Sequence, residues 1–243
     1  MSRSSSDFPL KDFYSNIYAT YDRVNRIFTF GRDVAWRRMA VDACLQSDPG
    51  SVLDVCTGTG DFILEVARQT AKRDRTVILT GYDFSGAMLQ EARRKRDLLK
   101  TKNAEIDFIE GDVDQMPFED NRFDAMGITF GIRNLVYENS NAERHLQELY
   151  RVLRPGGRFI ILESSKPENR FWRLFNNIYL QFILPILGGI LSGNLKAYRY
   201  LEKSSRNYYS VREMGDILEG TGFRMRGGRS LFLGSVMLLV AEK

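Results

Sequence analysis

The sequence predicts an α/β protein built on a mostly parallel seven-stranded sheet that ends in an antiparallel hairpin. Three observations lead to this fold class. Short apolar segments alternate with amphipathic helical segments, which is typical of parallel strands joined by helices. The first strand runs directly into a glycine turn and a helix within residues 52–67. A short glycine-containing segment alone separates the last two strands, which favours an antiparallel pair.

Composition favours a single domain over residues 1–243, because 43% apolar residues suffice for one core. The formal charge is +4, and the dispersed Lys and Arg residues argue against a nucleic-acid partner. Cys44 and Cys56 have neither disulfide-framework nor metal-site spacing, so we expect no metal and a reducing compartment. The first residues lack the apolar core of a secretory signal, and we therefore expect a cytoplasmic protein.

The segment before the first strand is predicted to form a helical lid over residues 1–45. Apolar and aromatic residues recur near helical spacing from Phe13 to Ala43, with an interruption at residues 29–31. The apolar residues 52–56 then predict a buried strand, and a helix follows the glycine turn to about Lys72.

The glycine turn is predicted to bind a small ligand. A dinucleotide fingerprint would place its third glycine at Ile63, and a Gly-Lys-Ser/Thr phosphate loop is absent. The chain instead has a strand-end acidic residue followed by Gly-x-Gly, namely Asp54, Gly58 and Gly60. This spacing resembles motif I of class I methyltransferases that use S-adenosylmethionine. A structural turn without a ligand is the alternative.

Acidic residues also follow the next two strands. Residues 76–82 predict the second strand, which ends at Asp83, where a carboxylate can accept both ribose hydroxyls of an adenosine. Capping of the next helix is the alternative role for Asp83. Residues 104–109 predict the third strand, after which Asp112 is expected at the adenine amino group and the backbone of Val113 on the ring.

The remaining elements complete the sheet. Residues 123–130 predict the fourth strand and residues 141–153 a helix, which the turn at residues 154–157 ends. Phe159 to Leu162 is the fifth predicted strand. Residues 223–226 and 236–241 predict the terminal hairpin.

Residues 168–205 are predicted to form an apolar helical insert that covers the substrate. The apolar residues of 171–191 are interrupted by Asn176, Asn177, Pro185 and the pair Gly188-Gly189. A membrane-spanning helix needs about twenty predominantly apolar residues without such breaks. The segment therefore favours a wall over an apolar substrate or a surface that touches a bilayer, with a purely structural cap as the alternative.

The chain resembles the quinone C-methyltransferases of menaquinone and ubiquinone biosynthesis over nearly its whole length. The glycine motif alone is shared by all class I methyltransferases, whereas the combination of several further motifs is much more specific. These motifs are Tyr21-Asp-Arg-Val-Asn25, Phe30-Gly31, Met116 to Asp124, Phe130-Gly-Ile-Arg-Asn134, Tyr150 to Gly157, Leu162-Glu-Ser-Ser-Lys-Pro167, Tyr198-Arg-Tyr-Leu201 and Ser205-Arg206.

The resemblance implies a Rossmann-like class I fold and methylation, with S-adenosylmethionine as cofactor, of a ring carbon of a polyprenylated demethylquinol. Arg133 and Asn134 follow the fourth predicted strand at the carboxyl edge, where Arg133 can stabilise an oxyanion or orient a water, with Asn134 and Tyr21 completing the polar groups. Securing a loop is the alternative role for Arg133 and Asn134. The single histidine, His145, is expected to be structural. By motif position, the cofactor contacts are Gly58, Thr59, Gly60, Asp83, Asp112, Val113 and Thr129.

Several alternatives stay open. Relatives often carry Phe-His where this chain has Gln181-Phe182 and His-Pro where it has residues 207–210. Both departures lie on the substrate side, so the acceptor stays open: it is a naphthoquinol, a benzoquinol or another lipophilic phenol or sterol-like molecule. A non-catalytic subunit that binds the cofactor is a further alternative. A homodimer and peripheral contact with the inner face of the cell membrane through residues 171–191 also remain open.

Overall fold

The computed structural model describes residues 22–99, 104–192 and 195–243. It confirms the mostly parallel sheet of seven strands, which lie in the order β3-β2-β1-β4-β5-β7-β6. Strands β1 to β5 run parallel, and β7 pairs antiparallel with both β5 and β6. The strands are β1 (Ser51–Val55), β2 (Val77–Asp83), β3 (Ala104–Glu110), β4 (Phe123–Thr129), β5 (Leu153–Ser164), β6 (Arg224–Leu231) and β7 (Val236–Glu242).

Helices connect the strands and also make up much of residues 168–205, here called the insert, and residues 22–28 are helical as well. A π-helical segment, Tyr179–Ile183, joins α6 to α7. Among the described residues, none of the helices has the length and apolar content needed to cross a membrane. The helices are α1 (Asp33–Leu45), α2 (Asp61–Lys72), α3 (Gly86–Asp97), α4 (Ile132–Val136), α5 (Ala142–Val152), α6 (Arg170–Ile178), α7 (Leu184–Ser192), α8 (Leu195–Arg206) and α9 (Val211–Thr221).

The two faces of the sheet carry separate cores. Side chains of a strand point alternately to opposite faces, so Val52 packs with helices α1, α2 and α3, whereas Leu53 packs with α5 and α9. All five residues of β1 are buried, as expected for the central strand of a sheet covered on both sides. The helices therefore hold the strand ends in fixed positions relative to one another.

Two strands are longer than predicted. β5 begins at Leu153, which pairs with Phe123, and regular pairing resumes at Arg158 opposite Ala125. The turn at residues 154–157 therefore ends α5 as predicted, but it forms an irregularity inside the strand. In β6 the pair Gly227-Gly228 continues the strand past a register shift. Glycine in a strand often marks such a bulge, which the sequence pattern does not distinguish from a turn.

A third, smaller core joins the amino-terminal helical residues to the insert. Val24 and Phe28 pack with Leu180, Leu184 and Tyr198, and all five side chains are buried. The hydroxyl of Tyr179 donates to the backbone oxygen of Phe28 over 2.8 Å. Residues 22–28 thus lie against the insert, next to the carboxyl edge of the sheet.

The order of the strands determines where a ligand can bind. From β1 the chain proceeds to β2 and β3 on one side of the sheet, while β4 and β5 lie on the other side of β1. Connections that leave in opposite directions open a crevice at the carboxyl ends of the two central strands. The crevice is formed by the segments that follow β1 and β4.

Candidate active site

A cavity of about 310 Å³, here called the first cavity, lies at the carboxyl ends of β1 to β4. Its volume falls within the range of about 300–1,000 Å³ that small-ligand pockets occupy. The sequence analysis predicts seven residues as cofactor contacts. Six of them, Gly58, Thr59, Asp83, Asp112, Val113 and Thr129, line the first cavity, whereas Gly60 does not.

The glycine turn owes its shape to backbone angles that favour glycine. The φ angle is +55° at Gly58 and +82° at Gly60. A Cβ atom at Gly58 would meet no atom within 4 Å, so backbone conformation and not crowding requires glycine there. At Gly60 a Cβ atom would lie 3.1 Å from the Cβ of Ala92 in α3. Gly58 therefore presents its backbone to the cavity, whereas Gly60 shapes the turn on the side that packs against α3.

Asp83 connects the ends of β1 and β2. One carboxylate oxygen accepts the Gly58 N–H over 2.8 Å and the other accepts the Ser85 N–H over 2.9 Å. Burial raises the pKa of Asp83 to about 6 despite these hydrogen bonds. Ser85 caps α3, because its hydroxyl accepts the Met88 N–H over 3.4 Å. Asp83 thus fixes the two turns while lining the cavity; its contact with a ribose remains a prediction.

Asp54, the acidic residue of the glycine motif, lies beneath the turn and does not line the cavity. It is completely buried, and the Thr57 hydroxyl donates to its Oδ2 over 2.6 Å. Burial raises the pKa of Asp54 to about 7. Asp54 therefore shapes the turn from within the protein.

The segment after β3 forms the far wall of the first cavity. The side chain of Asp112 is exposed and accepts the Asp114 N–H over 3.0 Å, whereas Val113 is buried. His145 is also buried, with Nδ1 2.8 Å from the Leu135 backbone oxygen and Nε2 2.9 Å from Asp114. Asp112, Asp114 and His145 each offer one metal-ligand atom within 4.8 Å of the others. The Nε2 of His145 lies at ion-pair distance from Oδ1 of Asp114, and this contact does not have the geometry of a hydrogen bond.

Thr59 lies in a network of charges that joins the amino-terminal residues to α2 and α3. Its hydroxyl donates to Asp22 over 2.7 Å and accepts from Lys95 over 2.9 Å. Lys95 also contacts Asp22 at 2.5 Å and Asp61 at 2.6 Å. Burial favours a higher pKa for Asp61, but the charges of Arg37 and Lys95 outweigh it and lower that pKa. The network therefore fixes Asp22 against the glycine turn.

A second cavity of about 170 Å³ adjoins the first one. Both are lined by Asn25, Asp33, Arg37 and Phe130, which form the wall that the two cavities share. Apolar side chains of the insert line the opposite side of the second cavity. These side chains are Tyr179, Leu180, Leu184, Tyr198 and Leu201.

Arg133 is a buried cation that lines the second cavity. Only 4% of the residue is exposed, and its guanidinium donates to the Ser205 hydroxyl. Among the described residues, no carboxylate forms an ion pair with Arg133, and its Nε has no hydrogen-bond partner. A buried charge without a counter-charge is costly, so this position favours a ligand that brings negative charge.

Glu163 places a carboxylate in the second cavity close to Arg133. It is 1% exposed, and its Oε2 accepts the backbone N–H of Arg133 over 3.3 Å. Its other oxygen accepts the backbone N–H and the hydroxyl of Ser164, each over 2.8 Å. Glu163 therefore holds the first turn of α4, which carries Arg133.

The predicted catalytic residues are divided between the cavities. Arg133 lines the second cavity and Asn134 lines the first, while Tyr21 lies outside the described residues. Sequence reasoning missed Arg37 and Glu163. Arg37 lies in the predicted helical lid, and Glu163 lies in the motif Leu162-Glu-Ser-Ser-Lys-Pro167. Neither residue was predicted to have a functional role. A recognisable signal for Glu163 was its position one residue beyond the predicted strand, which ends at Leu162, at the carboxyl edge of the sheet.

The sequence matches the family model of the ubiE/COQ5 methyltransferase family over residues 2–243. It is 39% identical over 213 residues to the demethylmenaquinone methyltransferase of Thermus thermophilus, covering 88% of this chain and 92% of the relative. It is 38% identical over 235 residues to the ubiquinone/menaquinone biosynthesis C-methyltransferase UbiE of Geobacter sulfurreducens, covering 96% of this chain and 88% of the relative.

The fold matches a solved structure of a SAM-dependent methyltransferase from Thermotoga maritima, described as a possible histamine N-methyltransferase. The TM-score is 0.64 with 18% sequence identity, covering 96% of this chain and 99% of the other. At this identity the likeness concerns the fold alone.

We predict that Asp54→Asn changes the pH dependence of stability. A folded-state pKa near 7 against an ordinary value of 3.8 means that the native protein binds this proton more tightly than the unfolded chain. The contribution is present below pH 3.8 and is lost as the pH rises through 7. From pH 5 to 8, the free energy of unfolding of the wild type should therefore fall relative to the variant by on the order of a few kcal/mol.

Urea unfolding of both proteins at each pH measures this difference. Asn keeps the size of Asp and an oxygen that accepts the Thr57 hydrogen bond. A difference between the two proteins that stays constant from pH 5 to 8 would contradict the prediction.

Proposed function

The chain belongs to the ubiE/COQ5 methyltransferase family, and we propose that it methylates a ring carbon of a polyprenylated demethylquinol, most directly demethylmenaquinol. It is an S-adenosylmethionine-dependent methyltransferase. The observation that carries the proposed acceptor is the second cavity, which combines apolar walls with the buried cation Arg133 and adjoins the first cavity. A long apolar molecule that develops negative charge at its ring matches this combination.

The first cavity fits S-adenosylmethionine, which supplies an electrophilic methyl group on its sulfonium when bound. The cofactor has no phosphates, and the cavity lacks a phosphate-binding lysine loop. Its ends suit an adenosine, because Asp83 offers carboxylate oxygens and Val113 a buried apolar surface. We assign cofactor contacts to Gly58, Thr59, Asp83, Asp112, Val113 and Thr129, with Gly60 shaping the turn.

Arg133 has a defined task in the proposed reaction. A quinol becomes nucleophilic at its ring carbon when a phenolic proton leaves, because the oxyanion donates electron density to the ring. The buried guanidinium of Arg133 stabilises that oxyanion. Among the described residues, no carboxylate lies within ion-pair distance of the guanidinium, which supports this role because such a carboxylate would compete with the oxyanion.

The phenolic proton needs an acceptor, and we assign this role to Glu163. The ring carbon that gains the methyl group also loses its own proton, which returns to the phenolic oxygen as the ring becomes an aromatic quinol again, so one proton in total leaves the site by way of Glu163. Arg133 cannot accept a proton at its ordinary pKa. Glu163 lines the same cavity and lies in contact with the backbone of Arg133. Asn134 and Tyr21 remain in the proposed polar set, Asn134 from the side of the first cavity.

The insert provides the apolar surroundings that a prenyl tail requires. Leu180 and Leu184 face the second cavity, while Phe171, Phe175 and Phe182 on the same run of helices are 50–60% exposed. None of the residues of α6 is buried. We propose that this exposed apolar face rests on the membrane surface, so that a tail leaving the second cavity can enter lipid.

The departure at Gln181 and Phe182 falls on the outer side of the insert. Both residues are exposed, and the Gln181 side chain accepts from Arg206 over 3.3 Å. Neither residue lines the second cavity. This placement supports the proposed quinol acceptor, because the altered pair lies away from the second cavity, to which we assign the ring.

We predict methyl transfer from labelled S-adenosylmethionine to demethylmenaquinol that is kept reduced. The matching demethylated benzoquinol, assayed in parallel, reports whether the second cavity also accepts the smaller ring. Labelled lipid product identifies the acceptor. Retention of cofactor binding without transfer to either quinol would contradict the proposed function.

We predict that Arg133→Ala lowers turnover by about 100-fold or more, the cost of removing one group that stabilises an oxyanion. Affinity for S-adenosylhomocysteine should stay within about twofold, because Arg133 lines the second cavity alone. Calorimetry measures the affinity and the labelled-methyl assay the turnover. Arg68→Ala, which removes a half-exposed arginine paired with Glu65, is the matched control.

Loss of cofactor affinity in Arg133→Ala would contradict the prediction and would show that Arg133 has a structural role.

Glu163→Gln is the companion variant, since glutamine still accepts the Arg133 N–H but cannot take a proton. Slower turnover with intact cofactor binding supports the proton-acceptor role. Unchanged turnover removes Glu163 from the mechanism and leaves Arg133 in place.

We predict that the protein sediments with phospholipid vesicles through the exposed face of the insert. Replacing Phe171 and Phe175 together by Ser should weaken this binding by about tenfold or more, since each phenyl ring buried in lipid contributes roughly 1.5–3 kcal/mol. Leu98→Ser is the control, because Leu98 is 70% exposed on another part of the molecule. Equal vesicle binding by both variants, or dimerisation through this face in sedimentation velocity, would contradict membrane contact.

A further inference from the structure

The charges that line the first cavity are strongly unequal. Six aspartates line it, whereas Arg37 is the one arginine or lysine among the described residues of its wall. A ligand whose end carries both an ammonium and a carboxylate would find many partners for the ammonium. Its carboxylate would be repelled everywhere except near a cation.

The fold holds the Arg37 side chain in place, but the described residues do not satisfy all of its hydrogen-bond donors. Its neighbour Trp36 is buried in the core between α1 and the sheet, which fixes the direction of the helix. Only 12% of the Arg37 side chain is exposed, and it reaches the wall shared by both cavities. Its Nε is buried without a hydrogen-bond partner among the described residues.

The ion pairs of Arg37 are long. Its Nη1 lies 3.4 Å from Asp33 and 3.3 Å from Asp61. Hydrogen bonds between ionised groups are normally about 2.7–2.9 Å long. The neighbouring Lys95 contacts Asp22 and Asp61 at 2.5 and 2.6 Å and does not line the cavity. The charge of Lys95 is thus fully engaged within the protein, whereas Arg37 retains donors for a ligand.

We propose that Arg37 binds the carboxylate of the amino-acid end of S-adenosylmethionine. A guanidinium presents several N–H donors in one plane, which suits a carboxylate better than a lysine does. Asp61, already 3.3 Å from Arg37, places negative charge where the adjacent ammonium would lie. The inference rests on the use of the cofactor and is independent of the acceptor.

This assignment makes Arg37 a determinant of ligand choice. S-adenosylhomocysteine has the amino-acid end, and 5′-methylthioadenosine lacks it while keeping the adenosine and the sulfur. Removal of the guanidinium should therefore weaken the first ligand and spare the second. A structural role of Arg37, such as holding Asp33 or Asp61, would weaken both ligands together.

The test compares Arg37→Gln with the wild type by calorimetry, using both ligands. We expect affinity for S-adenosylhomocysteine to fall by about tenfold to a hundredfold, the cost of losing hydrogen bonds to a charged group. Affinity for 5′-methylthioadenosine should change by less than about twofold. Arg38→Gln is the control, since Arg38 is 63% exposed on the next position of the helix and pairs with Glu65.

Arg37→Lys completes the series and should recover part of the lost affinity, because the charge returns without the planar donors. Equal losses for both ligands in Arg37→Gln, or an unchanged affinity for S-adenosylhomocysteine, would overturn the assignment. Because no acceptor enters these measurements, the result stands whether or not the quinol is methylated.

Discussion

The active site depends on one constraint of the sheet, the reversal of strand order at β1. Because β2 and β4 flank β1, the connections after β1 and β4 leave in opposite directions and cannot fill the space between them. The glycine turn and the segment that carries Arg133 are the two sides of the resulting crevice. Among the described residues, every functional residue assigned above lies on these segments, on the neighbouring strand ends, or on helices that close the crevice.

Buried charge is the energetic consequence of this arrangement. Asp54 and Asp83 have raised pKa values because burial penalises their charged forms. Arg133 is buried without an ion-pair partner among the described residues. Groups of this kind reduce stability, and they occur where a protein must bind or create charge. In this chain they lie around the first cavity and in the adjoining second one.

The wall between the cavities connects cofactor binding with the acceptor side. Arg37 and Asp33 line both cavities, so the charge of a ligand in one is felt in the other. The insert covers the second cavity and is held by a small core with residues 22–28. Its outer face remains apolar and exposed, which a purely structural cap would not require. In the function proposed above, the two faces of this segment have different tasks: the inner face lies against the ring of the acceptor and the outer face lies next to its tail.

Local patterns in the sequence determined most of the fold. The apolar strands, the Gly58 and Gly60 turn and the Ser85 cap depend on interactions within a few residues, which a sequence displays directly. The lengths of β5 and β6 were predicted too short, because the glycines that form irregularities inside these strands were interpreted as turns. A bulge and a turn have the same composition. Asp83 and Asp112 were placed near the ligand because parallel strands bring their carboxyl ends to one edge.

Only the tertiary structure decided how residues distant in the chain meet. Arg133 and Asn134 are neighbours in sequence, yet a helical turn directs them to different cavities. The roles assigned to Glu163 and Arg37 depend on contacts with distant residues. Glu163 accepts a hydrogen bond from Arg133, 30 positions away, and Arg37 forms an ion pair with Asp61, 24 positions away. Burial, counter-charge and cavity shape are properties of the folded chain, because each depends on groups that the sequence separates.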